Sequence, residues 1–376
     1  MFNQTTNVQQ SSNEIVTQYD NWIRRNALES ATNVAISKLY QNYGWQAGFT
    51  NLSFMGADYS VSITEITGDS TTEAKKIQVT SVATYENESD TSITVLMQPA
   101  YSYYYFFLNN LWPATLDYET GDTLVGPIHA NPRIRIKGDP VFIAKVSSAD
   151  INYHAVLGGD DPKFYGGAEF GTAIIDLSSS ILTPLRNVCT SGGDAYVSEI
   201  WVEFTGTTYT VYGDPYITPL GPSQDLTDFN GTIYSPQRVH VKGTVDGQIT
   251  VFSDDRLWIE DDIVCANDPS IDPTSDDFIG LIAEHQIFIA DNLANRSDLI
   301  IHAAIMARHD EILVDNPGTG SRGILTIVGS IIEQDYDSTP ATDYVLNHIP
   351  DSRLIDKTPP YFPRITNRVE QIYRSD

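Results

Sequence analysis

Carboxylates are the densest reactive groups in this 376-residue chain. Asp254, Asp255, Glu260, Asp261 and Asp262 are followed by Asp268, Asp272, Asp276 and Asp277, flanking the triplet Leu257-Trp258-Ile259 and the loop after it. Oxygen donors at this density suit a hard cation such as calcium. Asp254, Asp255, Asp261, Asp262, Asp276 and Asp277 are the candidate ligands, although their spacing matches no known calcium loop. Two carboxylates at a suitable separation also suffice for glycoside hydrolysis. A polysaccharide lyase would add a basic residue beside the acids, and Arg256 is the one at hand. The plainer alternative is a solvated acidic loop.

Other chemistry is sparse. His129, His240, His285 and His302 each fall in or beside an expected strand or turn, and none begins an H-x-x-x-H or H-E-x-x-H metal motif, so they read as structural. There is no G-x-S-x-G elbow, phosphate loop or dinucleotide fingerprint; GGDDPKFYGG (158–167) has glycines without a strand-to-helix context. No catalytic residue is assigned, and no cofactor other than calcium comes into consideration. Cys189 and Cys265 have neither metal-ligand nor redox spacing. Joined, they would close a loop of about 77 residues, restrict the unfolded chain by roughly 4–5 kcal/mol and point to an oxidising compartment. Unjoined, they are two buried thiols.

The elements that carry these residues change character along the chain. Residues 12–43 place Ile15, Tyr19, Trp22, Ile23, Ala27, Ala31, Val34, Ala35 and Leu39 at helical spacing on one stripe, after the cap candidates Ser11, Ser12 and Asn13. This predicts a long amphipathic helix. FTNLSFMGADYSVSITEIT, KKIQVTSVATYEN and DTSITVLMQPA then alternate apolar and polar residues, as antiparallel strands do. The aromatic run YSYYYFFLNNLWP (101–113) is either a buried hinge between domains or a platform for glycans.

From residue 126 onward, IRIKG, VFIAKV, VHVKG, ITVFS, LWIEDDIVC and their successors are short β-branched runs stopped by Gly, Asp and Pro, which suits a parallel β-solenoid. Leu257-Trp258-Ile259, Ile287-Phe288-Ile289 and Ile312-Leu313-Val314 align with one another. If their first and third side chains fill the interior, Trp258, Phe288 and Leu313 point outward. Such an outward stripe needs a cover, from an insertion, the tail or a neighbouring subunit. These three residues, with Phe2, are the interface candidates.

Composition narrows the partners. With 49 acidic against 22 basic residues the formal charge is −27, which repels phosphate backbones and anionic membranes. No window reaches the roughly 18 apolar residues of a membrane helix. The opening MFNQTTNVQQSSNE lacks a leader's features, and the abundance of Tyr, Thr, Ser, Asn and Asp favours an exported chain that has lost one.

TGDTLVGPIHANPRIRIKGDPVF (120–142) resembles a T-G-D, G-P-[IV]-H-[TA]-N, G-x-P-x-F segment of a poorly characterised group of secreted, pilus-assembly-like bacterial surface proteins. VHVKGTVDGQITVFSDDRLWIEDDIVCANDP (239–269), DDFIGLIAEHQIFIADN, HAAIMARHDEILVDN and GILTIVGSIIEQ are similar to that group's later blocks, and NALESATNVAISKLY to its amino-terminal helix. The resemblance implies a pilin-like α+β amino end followed by a β-solenoid, on an exported and displayed protein without established catalytic residues.

The expected fold is therefore mainly β: an extended arm over 1–14, a pilin-like helix with a small antiparallel sheet over 15–118, and a parallel β-solenoid over 119–334. An inserted side sheet is expected at about 150–235, and an extended arm with a short helical patch over 335–376. The expected function is that of a non-enzymatic extracellular subunit of a surface filament whose partner is itself. A carbohydrate-active solenoid and a glycan-binding adhesin are the alternatives.

Overall fold

The computed structural model describes residues 2–110, 116–318, 321–336 and 339–375, which fall into two compact units. The first comprises Met1–Ser70, Ala74–Pro99 and Thr366–Asp376, and the second Thr71–Glu73 with Ala100–Ile365.

In the first unit, helix α1 spans Phe2–Gln41. No Gly or Pro interrupts those residues, so the backbone has no reason to leave the helix, and residues 2–14 of the arm expected over 1–14 are instead its first turns. Ile23, Ala27, Leu28, Ala31, Ala35 and Leu39 are buried. Alanines at every fourth position let the helix approach a sheet closely, against Val61, Ile77, Val79 and Leu96. That sheet is a meander of β1 (Phe49–Phe54), β2 (Ala57–Glu65), β3 (Lys75–Tyr85) and β4 (Glu88–Gln98), antiparallel throughout. Its β1–β2 and β3–β4 turns place Met55-Gly56 and Glu86-Asn87 at positive φ, the geometry that matches strand twist in two-residue hairpins. Glu370–Ser375 adds a fifth strand, antiparallel to β4. The helical patch expected there is thus a strand, because the open edge of β4 offers backbone groups that the tail satisfies.

In the second unit parallel pairing dominates. Leu257–Cys265, Ile287–Ile289 and Ile312–Val314 stack in the register Leu257↔Ile287↔Ile312, continued upstream by Val239–Val245 and Ile200–Gly206. Leu257, Ile259, Ile287, Ile289, Ile312 and Val314 are all buried in one core. A second parallel ladder runs through Gln248–Ser253, Phe278–Ala283, Leu299–Ala307 and Ile324–Glu333. It then continues on residues from much earlier in the chain, through Phe106–Leu108, Ile128–Ala130, Val146–Ser148 and Ala168–Phe170. This ladder is apolar on both faces: a separate cluster of Ile175, Leu177, Leu182, Leu185, Leu354 and Phe362 covers Phe252, Phe278, Ile282 and Met306. The FIGLIA strand is accordingly buried at every position, as a doubly covered parallel strand must be.

The GPIHAN stretch lies in this ladder. His129 is opposite Ser147 and Phe107. Beside it, Asp117–Glu119, Arg135–Lys137 and His154–Ala155 form one small parallel sheet, and Thr123–Leu124, Val141–Phe142 and Lys163–Phe164 another. Residues 150–170 therefore belong to the stacked parallel strands and not to an inserted side sheet. Within 150–235 the antiparallel part is the run Ile200–Gly206, Thr208–Tyr212 and Gln224–Asp225, and the first of these also joins the parallel ladder. The expected 335–376 arm is likewise divided: Val345–Ile349 pairs with Ile324–Glu333, and Leu354, Phe362 and Ile365 fill core.

Candidate functional site

Most of the acids around the Leu257–Cys265 strand are engaged by partners of their own. Asp254 takes two contacts of 2.9 Å and one of 2.6 Å from Arg186 and a bond of 2.5 Å from the Tyr234 hydroxyl. Asp255 faces Arg238 at 3.8 Å and Arg256 at 3.7 Å. Asp261 accepts the Asp262 N–H, and Asp262 accepts the Ile300 N–H. Asp277 is fully buried and accepts from the Gly247 N–H, the Asn267 N–H and amide, and Ser275. Asp276 lies exposed on a cavity of about 420 Å³ with Asp225, Thr227 and Asp246. The six calcium candidates thus do not converge. Asp261, Asp262 and Asp277 accept from backbone N–H groups of turns and neighbouring strands, as Asp beside Ser, Thr and Asn does.

Arg256, the base offered for lyase chemistry, bonds Gln286 at 2.8 Å. The aromatic run expected as hinge or platform is core: Tyr101, Tyr104 and Phe107 are fully buried in the second unit, so the unit boundary falls at Pro99/Ala100. Leu111 and Trp112 lie outside the described residues. A further cavity of about 440 Å³ is lined by Ile289, Ile301, Ile305, Ile312 and Leu325, and the buried carboxylate on its wall, Glu333, accepts the Ile312 N–H.

The cysteines are two buried free thiols. Cys189, in the helix Thr183–Gly192, belongs to the covering cluster, whereas Cys265 ends a strand facing the other core. Opposite faces of one ladder cannot bring two sulfurs together. Burial pushes the Cys189 thiol up to about 11 and the Cys265 thiol up to about 12.

The outward residues of the aligned triplets form a continuous row. Trp201, His240, Trp258 and Phe288 occupy consecutive rungs, with ring centroids 4.5, 5.2 and 4.7 Å apart and planes within 19°. Leu313 follows opposite Phe288. Trp258, Phe288 and Leu313 are half-buried, covering one another, and Arg238 lies 5.4 Å over the Trp258 ring. His240 meets Glu260 at 2.6 Å and Glu199 at 3.0 Å. Burial works to raise the Glu260 carboxyl, but His240 and Asn292 together hold it below the ordinary range.

The remaining histidines divide into two kinds. His129 is sealed between Ser147 (2.8 Å) and Asn131 (3.0 Å) and stacks on Phe107. His302 accepts the Cys265 N–H, and burial lowers its pKa. His285 and His309, by contrast, stand near solvent on either side of Asp310, with donor atoms of all three within 4.8 Å of one another. Motif reading missed this group because the two histidines are 24 positions apart; the legible signal was the pair of similar segments AEHQIFIAD and ARHDEILVD.

In the first unit the surprise is in α1. Ile15, Val16, Tyr19 and Trp22 are 66, 55, 56 and 50% exposed, although Ile15, Tyr19 and Trp22 read in sequence as part of the same packed stripe as Ile23. The Tyr19 and Trp22 rings stack on each other at 6.1 Å. Phe2 begins the helix, and its side chain lies outside the described residues.

The chain matches no family model and no curated relative. Among solved structures, that of the competence-associated pilin ComZ from Thermus thermophilus aligns with 95% of this chain and 97% of that one, at a TM-score of 0.39 and 9% sequence identity.

Proposed function

We propose that this protein is a non-enzymatic structural subunit of an extracellular, pilus-like filament, acting by self-association through the first half of α1. The observation that carries the reading is the run of four large apolar side chains, each at least half exposed, within eight residues of one helix. Ile15, Tyr19 and Trp22 follow one another by four and then three residues, the seam spacing at which helices pack knobs into holes. A second copy of the helix presents an identical seam, so the occupant is the chain itself.

The rest of the molecule fits a scaffold. We read the parallel ladders of the second unit as a β-solenoid, wound around the core of Val241, Ile259 and Ile289 and covered on its broad face from within. Asp254, Asp261, Asp262 and Asp277 are engaged locally, which supports a role without catalysis or calcium. The charge of −27 disfavours nucleic acid and keeps an exported particle soluble.

Tyr19 and Trp22 would each bury on the order of 100 Å² on association, roughly 2.5 kcal/mol apiece at 25 cal/mol/Å². Sedimentation velocity over a range of concentrations tests this. Wild type should self-associate, and Tyr19→Ser with Trp22→Ser should weaken association by at least about 100-fold while shifting fold stability by less than about 0.5 kcal/mol. Equal association of the two proteins, or a wild type monomeric throughout, would reject the reading.

A further inference from the structure

We propose that His285, His309 and Asp310 form a binding site for a divalent transition metal of the zinc class, independent of self-association. Ala283 and Ala307 are directly paired on neighbouring parallel strands, and each histidine lies two residues beyond its alanine. The ladder register therefore brings the two imidazoles to adjacent rungs of one corner. The next residue, Asp310, sends one carboxylate oxygen to each ring: Oδ2 to His285 Nδ1 and Oδ1 to His309 Nδ1, both at 3.2 Å.

Those distances fit a shared metal. Ligands bound to zinc at 2.0–2.1 Å in tetrahedral geometry stand roughly 3.3 Å from one another, close to what is seen here. Two imidazole nitrogens with one carboxylate select zinc, nickel or copper over calcium, which takes six to eight oxygens.

The site is also built into the backbone. The His285 N–H donates to the Asp255 carbonyl at 2.9 Å, and the His309 N–H to the Glu284 carbonyl at 3.0 Å. The Asp310 carbonyl accepts from the N–H groups of Gln334 and Asp335. All three ligand residues are thus pinned to neighbouring rungs, so little ordering is left for binding to drive. Meanwhile the side chains of His285, His309 and Asp310 remain 42, 58 and 22% exposed, which leaves an entry path and a coordination position facing solvent.

The test is isothermal titration of the tag-free full chain with zinc chloride, repeated with His285→Gln, His309→Gln and Asp310→Asn. Wild type should bind one equivalent, each variant should lose about 100-fold or more in affinity, and excess calcium should not compete. Zinc should also protect His285 and His309 of the wild type from carbethoxylation, a readout by mass spectrometry that needs no variant to fold. Absence of zinc binding by the wild type would overturn the assignment, as would equal binding by the His285→Gln/His309→Gln double variant or labelling of both histidines unaffected by zinc.

Discussion

Replacing His348 with phenylalanine should flatten the acid sensitivity of the second unit. The imidazole of His348 stacks on the Tyr105 ring at 3.8 Å and 18°, and the Tyr105 hydroxyl donates to the His348 carbonyl at 2.8 Å. The residue as a whole is only part-buried, yet its Nε2 is shut off from solvent without a partner. Burial pushes its pKa down to about 3 from 6.5, against a small opposing pull from a backbone hydrogen bond with Gly329. Above pH 6.5 the ring is neutral in both folded and unfolded chains and no penalty exists. Below it, the unfolded chain takes up a proton that the folded chain refuses, so stability is lost as pH falls toward 3. Each pH unit in that window costs about 1.4 kcal/mol, hence at most about 2.7 kcal/mol between pH 6.5 and 4.5. His348→Phe keeps the ring stack and the Tyr105 hydroxyl bond to the residue 348 carbonyl, gives up the imidazole's bond with Gly329 at every pH, and removes the titration; all other titrating groups are common to both proteins and cancel in the difference. Urea unfolding of wild type and variant at pH 7.5 and pH 4.5 should show the variant gaining 2–3 kcal/mol, roughly, on wild type across that interval. Parallel pH dependences would show that the ring protonates freely in the fold.

Three further outcomes follow from the packing. Gly243 sits at φ +113 with its Cβ direction 2.2 Å from the Phe204 carbonyl oxygen, so Gly243→Val should cost about 3 kcal/mol or more, while Thr244→Val next to it should cost under about 0.5 kcal/mol by urea denaturation. Cys189 and Cys265 should remain unreactive toward a thiol reagent until the chain unfolds, and peptide mapping without reductant should find both reduced. Phe288→Ser should remove one ring of the stacked row and destabilise the fold by about 1–3 kcal/mol in calorimetry without changing sedimentation behaviour, since that row covers itself.

The aligned triplets were legible because a strand's period of two forces first and third residues inward: Leu257, Ile287 and Ile312 carry their own registry in the sequence. The helix and the meander were legible for the same reason at their own periods. Other features leave weaker local traces. The 117–170 strands are two or three residues long, too short for alternation, and their trace is the recurring Gly-Asp turn at Gly121-Asp122, Gly138-Asp139 and Gly159-Asp160, with each glycine at positive φ. Stacking of Phe106–Leu108 on Ile324–Glu333 joins segments more than two hundred residues apart, which no local pattern encodes. The acid-rich 254–277 stretch misled because density of charge says nothing of convergence; Asp254, Asp261, Asp262 and Asp277 each satisfy a nearby N–H, hydroxyl or arginine instead. The metal-competent group is the reverse case, in which sparse donors 24 positions apart become neighbours through one ladder register. In α1, helical spacing identified the apolar stripe but not where the sheet beneath it stops, so Ile15, Tyr19 and Trp22 read as core and stand exposed.

The central claim is that copies of this chain join through the exposed seam of α1. Electron microscopy of the full chain, concentrated without detergent, tests it most directly. Filaments or regular oligomers with α1 helices packed at their centre are expected, and dispersed single particles at every concentration would contradict the account.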